Sequence, residues 1–300
     1  SALVALAFSG ATLANPTGQA VVAGSASFAT AGKTLTVTNS PNAILNWQGF
    51  SIGVDETTRF QQQSVQSAVM NRVVGQDPSA ILGTLSSNGR VFLLNPNGIV
   101  FGAGSRVDVA GLVASTLNLS NQDFLAGRLN FEAGAVANPI VNHGNVATPS
   151  GGRVYLIAPN VENHGVISTP QGQTILAAGK TVQLVEADVP NLRVELQAGG
   201  EALNVGQILA DGGSAGIYAG LINQQGIVRA NSVSRDAGGR IVFRSTDVLV
   251  NSGTVQADGA QGGSVAIQAR NILSAGQITA EGSQGTGGEI DVQAAGRILQ

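Results

Sequence analysis

The sequence predicts an all-β protein built as a parallel β-helix, on three observations. One short phrase returns through the second half: Asn142-His143-Gly144-Asn145-Val146, Asn163-His164-Gly165-Val166-Ile167, Asn204-Val205-Gly206-Gln207-Ile208 and Asn251-Ser252-Gly253-Thr254-Val255, with looser copies at Gly226 and Gly276. The glycines of these six copies are 21, 41, 20, 27 and 23 residues apart, so one period organises this half and doubles once, where a copy has diverged or hides an insertion. A second phrase follows the first in step, as Gly151-Gly152-Arg153-Val154, Gly238-Gly239-Arg240-Ile241, Gly262-Gly263-Ser264-Val265 and Gly287-Gly288-Glu289-Ile290. Between the phrases lie short runs that alternate apolar with small or polar residues, such as Val154-Tyr155-Leu156-Ile157 and Val265-Ala266-Ile267. These read as strands. Three short strands and three turns fill one period, and such coils stack ~4.8 Å apart.

Taken in chain order, Ser1 to Ala14 is an apolar run ending in Thr12-Leu13-Ala14, small residues at the positions that precede a signal-peptide cleavage site. It reads as a partial signal peptide over 1–14, cleaved after Ala14. A transmembrane helix needs ~20 apolar residues, and Ser9-Gly10 interrupts this run. Residues 15–135 keep the strand and turn grammar without a strict period, in Gln19 to Gly24, Lys33 to Thr38 and Ala43 to Gly53. A solenoid has to cover the end of its apolar core, so this irregular segment with the chain's one tryptophan, Trp47, is expected to be the N-terminal cap. Two apolar runs flank Asn95-Pro96-Asn97-Gly98 within Val91 to Gly102, a β-turn with Pro96 presetting the second position and Gly98 releasing the chain. Residues 136–300 are β-helix repeats, continuous with the preceding part and expected to run on beyond Gln300. A β-sandwich is the alternative fold.

Composition narrows function. With 43% hydrophobic residues the chain can bury a core, and 41 glycines with 12 aromatics (Phe 9, Tyr 2, Trp 1) suit a narrow interior of Val, Ile, Leu and Ala with glycine corners. Fifteen basic against 18 acidic residues, with no basic run, make nucleic acid a poor partner. The absence of cysteine removes disulfides, thiolate metal sites and cysteine nucleophiles together.

From Pro16 to about Ser120 the chain carries, in order, AILNWQGFSIG, SAVMNRVVG, DPSAILG, NGRVFLLNPNGIVFGAG and GLVASTLNLS. This ordered set resembles the secretion domain of two-partner-secretion exoproteins, the family of filamentous haemagglutinin and the high-molecular-weight adhesins. The resemblance implies a right-handed parallel β-helix with an N-terminal cap, exported from a Gram-negative cell through the periplasm. It also implies recognition by the POTRA domains of a dedicated outer-membrane transporter, passage through that barrel unfolded, and folding at the cell surface. In the family the NPNGI motif and the asparagine-arginine passage matter for secretion, which carries over to Asn95, Pro96, Asn97, Gly98, Ile99, Asn71 and Arg72 as residues of transporter recognition or of folding. The family's NPNL passage is absent as such; Ser40-Pro41-Asn42-Ala43 is a loose relative. Host-cell glycan or receptor binding would belong to the full-length protein.

Other chemistries are weaker. Five residues after the turn glycines stand Asp211, Asn231, Asp258 and Glu281, with Pro149 and Pro170 in the same register earlier. They offer one ligand per coil, and loops of unequal length should spread them, so no calcium site is expected. His143 and His164 share an Asn-His-Gly context and should stack as a surface ladder without a recurring third metal ligand. Two histidines in repeat turns support no Ser/His/Asp assembly. The expected protein is therefore not an enzyme and holds neither cofactor nor metal. A surface polysaccharide lyase or glycosidase on the same fold is the alternative, and it requires converging carboxylates on adjacent coils.

Overall fold

The computed structural model describes residues 15–186, 192–232 and 238–300; the expected signal peptide, Ser1 to Ala14, lies outside them. The chain winds as a parallel β-helix with three sheets. The first sheet stacks Ala43–Trp47, Ala68–Val73, the second half of Thr84–Leu94, the second half of Arg106–Ser115, Arg153–Ala158 and the first half of Gln173–Glu186, then continues to Ser264–Ala269 and Glu289–Ala294. The second runs from Ser79–Ile81 through Ile99–Phe101, Ile140–Asn142, Asn160–Asn163 and Glu201–Asn204. The third includes Asn145–Ala147, Val166–Ser168, Gln207–Leu209, Ile227–Arg229 and Thr254–Gln256.

Periodicity becomes packing through register. Each inward residue pairs with its counterpart one coil on, so Val107, Val146, Ile167, Ile208, Val228 and Val255 form one buried column. Ile99, Ile140, Val161, Ala202, Ile222 and Leu249 form another. Branched aliphatic side chains suit these columns because their stiff χ1 rotamers stack in one orientation along the axis.

The two recurrent phrases are the corners. A Cβ on Gly165, Gly206, Gly226, Gly253 or Gly276 would fall on the carbonyl oxygen of the glycine one coil earlier. These positions need glycine for the close approach of stacked backbones. Behind them runs an amide ladder that the sequence pattern contains as the Asn of each phrase. Asn142 Nδ2 donates to Asn163 Oδ1 at 2.8 Å, Asn163 Nδ2 to Asn204 Oδ1 at 2.8 Å, and Asn204 Nδ2 to Gln224 Oε1 at 2.7 Å. All four side chains are buried.

The doubled spacing between Gly165 and Gly206 is one coil with an insertion. Asn163 pairs directly with Asn204, while 179–186 and 192–199 leave the solenoid as an antiparallel strand pair, a hairpin with Gly179 opposite Gly199 at its base. That hairpin joins Leu129–Glu132 and Asn118–Leu119 in a small antiparallel sheet, which with the helix Asn121–Leu125 covers the outside of the first sheet. A second core results, holding Met70, Phe92, Tyr155 and Ile175 against Leu119, Phe124, Phe131 and Val182. Runs such as Val91-Phe92-Leu93-Leu94 are apolar throughout, without alternation, because both faces of that sheet are buried.

At the N-terminal end Ala20–Ala23 pairs antiparallel with Ala43–Trp47, and Ala26–Ala31 pairs antiparallel with Thr34–Asn39. Aromatic side chains fill the core there. Trp47 meets Phe28 edge-on at 5.7 Å and Phe50 at 5.6 Å, and Phe50 stacks on Phe60 at 6.4 Å.

Candidate functional site: the NPNGI corner

The turn Asn95 to Gly98 connects the first sheet to the second, and each residue has a local task. Gly98 donates its N–H to Asn95 O at 3.2 Å and takes a φ of 109°, the left-handed side that favours glycine. Asn95 is fully buried. Its Nδ2 donates to Asp77 O at 3.0 Å and Ser79 Oγ at 2.9 Å, and its Oδ1 accepts from Asn97 N at 3.0 Å and Asn97 Nδ2 at 3.1 Å. Asn97 Nδ2 also donates to Gly75 O at 2.9 Å, tying the turn to the preceding coil. From the following coil, Asn138 donates its backbone N–H to Pro96 O at 2.9 Å and Nδ2 to Asn97 O at 3.1 Å. Ile99 heads a buried core column, while Pro96 and Asn97 are half-buried at the surface.

The asparagine-arginine passage meets this turn. Asn71 pairs with Leu93 and Arg72 with Leu94, so Arg72 sits one rung from the residue preceding Asn95. Asn71 points inward, accepting from Trp47 Nε1 at 3.0 Å and donating to Phe92 O at 3.2 Å. Arg72 points outward, where Nη1 donates to Asn121 Oδ1 at 2.8 Å and Nη2 to Leu119 O at 2.7 Å. Burial lowers its pKa from the usual guanidinium value. The guanidinium thus fastens the helix and strand of the outer cover onto the solenoid.

Of the seven residues singled out in the sequence, Asn95 to Ile99 form the corner, while Asn71 and Arg72 lie on the strand paired with the one that leads into it and face its two sides. Gly75, Asp77 and Ser79 lie in the passages SAVMNRVVG and DPSAILG, but their bonds to the turn, like Asn121 and Asn138, were not read from the sequence, because single hydrogen bonds between coils leave no periodic trace. The polar column differs from expectation too. Asp211, Asn231, Asp258 and Glu281 do not spread: Asp211 Oδ1 accepts from Asn231 N at 3.0 Å, Asn231 Oδ1 from Asp258 N at 2.9 Å, and Asp258 Oδ1 from Glu281 N at 2.7 Å. Length differences between loops are absorbed after the column, and these side chains cap the N–H groups of the next coil. Arg229 grips Asp211 with Nε and Nη2, the shortest contact being 2.6 Å. The imidazoles of His143 and His164 stack with centroids 4.9 Å apart.

The model of the TPS secretion domain family matches residues 12–257, which includes this corner and most of the coils. The chain belongs to the TPS secretion domain family. Among solved structures, the secretion domain of HMW1 from Haemophilus influenzae superposes with a TM-score of 0.87 at 35% identity, covering 92% of this chain and 76% of that one. A heme/hemopexin-binding protein of Haemophilus influenzae strain Rd is 30% identical over 188 residues, 52% of this chain and 21% of the relative. A second heme/hemopexin-binding protein from Haemophilus influenzae is 39% identical over 90 residues, 30% of this chain and 10% of the relative. The chain matches only about a fifth of the longer-matching of these two curated relatives. TPS secretion domains belong to exoproteins that travel through the periplasm to the cell surface or the medium with an outer-membrane transporter as partner.

Proposed function

We propose that this TPS secretion domain is recognised in the periplasm by the POTRA domains of its outer-membrane transporter and then nucleates β-helix folding outside the cell. In this reading residues 15–135 carry the secretion motifs and 136–300 are coils laid down on them, with Ile99–Phe101 pairing onto Ile140–Asn142 across the division. The observation that carries it is the NPNGI turn, tied to the coils on both sides, with Asn71-Arg72 on the strand paired with the one that leads into it, within a chain whose family is defined by secretion. A chain without cysteine forms no disulfide to obstruct threading. Coils stabilised by nearest neighbours also add one at a time as they emerge. Asn95, Gly98, Ile99 and Asn71 act here through folding, since they are buried and their side-chain amides or backbone are engaged within the protein. Pro96 and Asn97 present the surface for contact with the transporter.

The role is structural and targeting, without catalysis. A lyase or glycosidase needs two free, converging carboxylates, whereas Asp211 is held by Arg229 and Asp258 accepts from Gln256, Thr279 and the Glu281 backbone.

The experiment is secretion of this chain, behind a complete signal peptide, from cells with and without the transporter, comparing wild type with Asn97→Ala. Transporter-dependent appearance in the medium is expected. Asn97→Ala should reduce secretion while the purified protein still folds, by more than the loss of about 1 kcal/mol of stability from its hydrogen bonds accounts for. Retention in the periplasm whether or not the transporter is present would overturn the proposal.

A further inference from the structure

The chain's two histidines stand away from the secretion corner, on the outside of the glycine corner between the second and third sheets. We propose that His143 and His164, with Glu162 orienting the second ring, form a chelating site for a divalent late first-row transition ion, Cu²⁺ foremost. The inference does not depend on the export reading.

Register brings the ligands together. Asn142 pairs with Asn163, and the residues that follow are fixed in the same way: His143 donates its N–H to Phe101 O at 2.7 Å and His164 to Asn142 O at 2.7 Å. The imidazoles therefore leave the backbone one rung apart on the same side, with centroids 4.9 Å apart and ring planes 23° from parallel. The buried amide ladder beneath them holds that spacing. Two nitrogens bound to one ion at 2.0–2.1 Å lie at most about 4 Å apart. As stacked, the rings turn their faces to each other, so ligation requires both to rotate about χ1 and χ2 until their in-plane nitrogens converge, and both rings are on exposed residues.

The sequence pattern showed two imidazoles and no recurring partner. The structure adds Glu162, whose Oε2 lies 3.0 Å from His164 Nε2. A carboxylate accepting one ring N–H fixes the tautomer, raises the basicity of the other nitrogen and leaves its lone pair for a metal. The rings border an open groove of about 480 Å³ that also has Asn145, Val166, Val205 and Gln207 on its walls and the backbone of glycines 144, 165 and 206 between them. No lysine or arginine lines this groove to repel a cation, and its open side leaves room for water in the remaining coordination positions. Imidazole suits Cu²⁺, Ni²⁺ and Zn²⁺, and at a site of this kind Cu²⁺ binds most tightly.

The chain has no other histidine and no cysteine, which makes the test direct. Untagged protein is titrated with Cu²⁺ at neutral pH by calorimetry, and the complex is examined by electron paramagnetic resonance. One ion per chain and hyperfine structure from two nitrogens are expected. His143→Ala and His164→Ala should each weaken binding more than about tenfold, and Glu162→Gln by about tenfold, with circular dichroism unchanged. Undiminished binding by the His143→Ala/His164→Ala protein, a spectrum with one nitrogen, or no binding by the wild type would overturn the site.

Discussion

At the scale of single residues, buried polar side chains fix which groups may be enclosed in the core. Asn71 is the clearest case, because its carbonyl is the partner of the indole N–H of Trp47 in the capped end of the core. Replacing it by leucine keeps the branched shape and leaves that N–H unpaired. We expect Asn71→Leu to lower stability by about 1–3 kcal/mol, measured by urea unfolding followed through Trp47 fluorescence. A different electrostatic device starts the outer helix. Ser120 caps Asn121–Leu125 by accepting from Asp123 N, and Asp123 in turn receives Arg128 Nε at 2.6 Å and Ser120 Oγ at 2.9 Å. Those hydrogen bonds, Arg128 first, hold the Asp123 carboxyl below the usual carboxylate range. A carboxyl with a depressed folded pKa contributes stability that is present above its unfolded value, near 3.9, and lost as the pH falls through the folded value. Titration of the Asp123 side chain by NMR should show the low midpoint, and Arg128→Ala should move it up towards the ordinary range.

At the scale of the element, the coil corner carries the repeat. Gly206 has no unusual φ, yet a methyl group there would collide with the carbonyl of Gly165, which belongs to the next rung of backbone and has little freedom to yield. Gly206→Ala should therefore cost about 1–3 kcal/mol, whereas alanine at Gly127, where nothing lies within 4 Å, meets only the backbone cost of its φ of 70°. Urea midpoints of the two variants measure the difference. This corner was the most legible part of the molecule. Gly144, Gly165 and Gly206 recur because stacking imposes the same steric limit on every coil, and such a limit writes itself into the sequence as a period. The asparagines of the amide ladder recur in the same pattern, two residues before these glycines, but that they bond to one another and end on Gln224 was seen only in the structure. The outer cover was hidden for the opposite reason: Leu119, Phe124, Phe131 and Val182 each occur once, so no repeat marks them. The signal it does leave is misread as alternation: Val154-Tyr155-Leu156-Ile157 is apolar throughout like Val91-Phe92-Leu93-Leu94, because Tyr155 and Ile157 face the cover while Val154 and Leu156 face the axis. The secretion corner was legible as a motif, but its meaning as a joint between coils required Gly75 and Asn138, which lie far from it in sequence.

At the scale of the whole molecule, the solenoid and its cover are separable in a way the pairing makes explicit. The coil path runs from Ala178 to Gly200 with a hydrogen bond of 3.3 Å between them, and Asn160–Asn163 pairs with Glu201–Asn204 as if the intervening residues were absent. Gly179 and Gly199 face each other at the base of the hairpin. Deleting residues 180–198 and joining these glycines should leave the solenoid folded with its β signature in circular dichroism. The same deletion removes Val182, Leu184 and Val194 from the second core, and with them the strand on which Leu129–Glu132 is paired. Each buried aliphatic side chain contributes about 1.5–3 kcal/mol, so the shortened protein should unfold at lower urea and bind a hydrophobic dye at the uncovered face around Tyr155 and Ile175. Asn163→Leu should act in the reverse sense. It exposes no apolar surface but leaves Asn142 Nδ2 and Asn204 Oδ1 unpaired inside the coil stack, so the loss falls on the solenoid itself, in slowed amide exchange giving way to fast exchange in the coils on either side. If both changes lowered protection equally across cover and coils, the two layers would be one cooperative unit and the solenoid would not be separable from its cover.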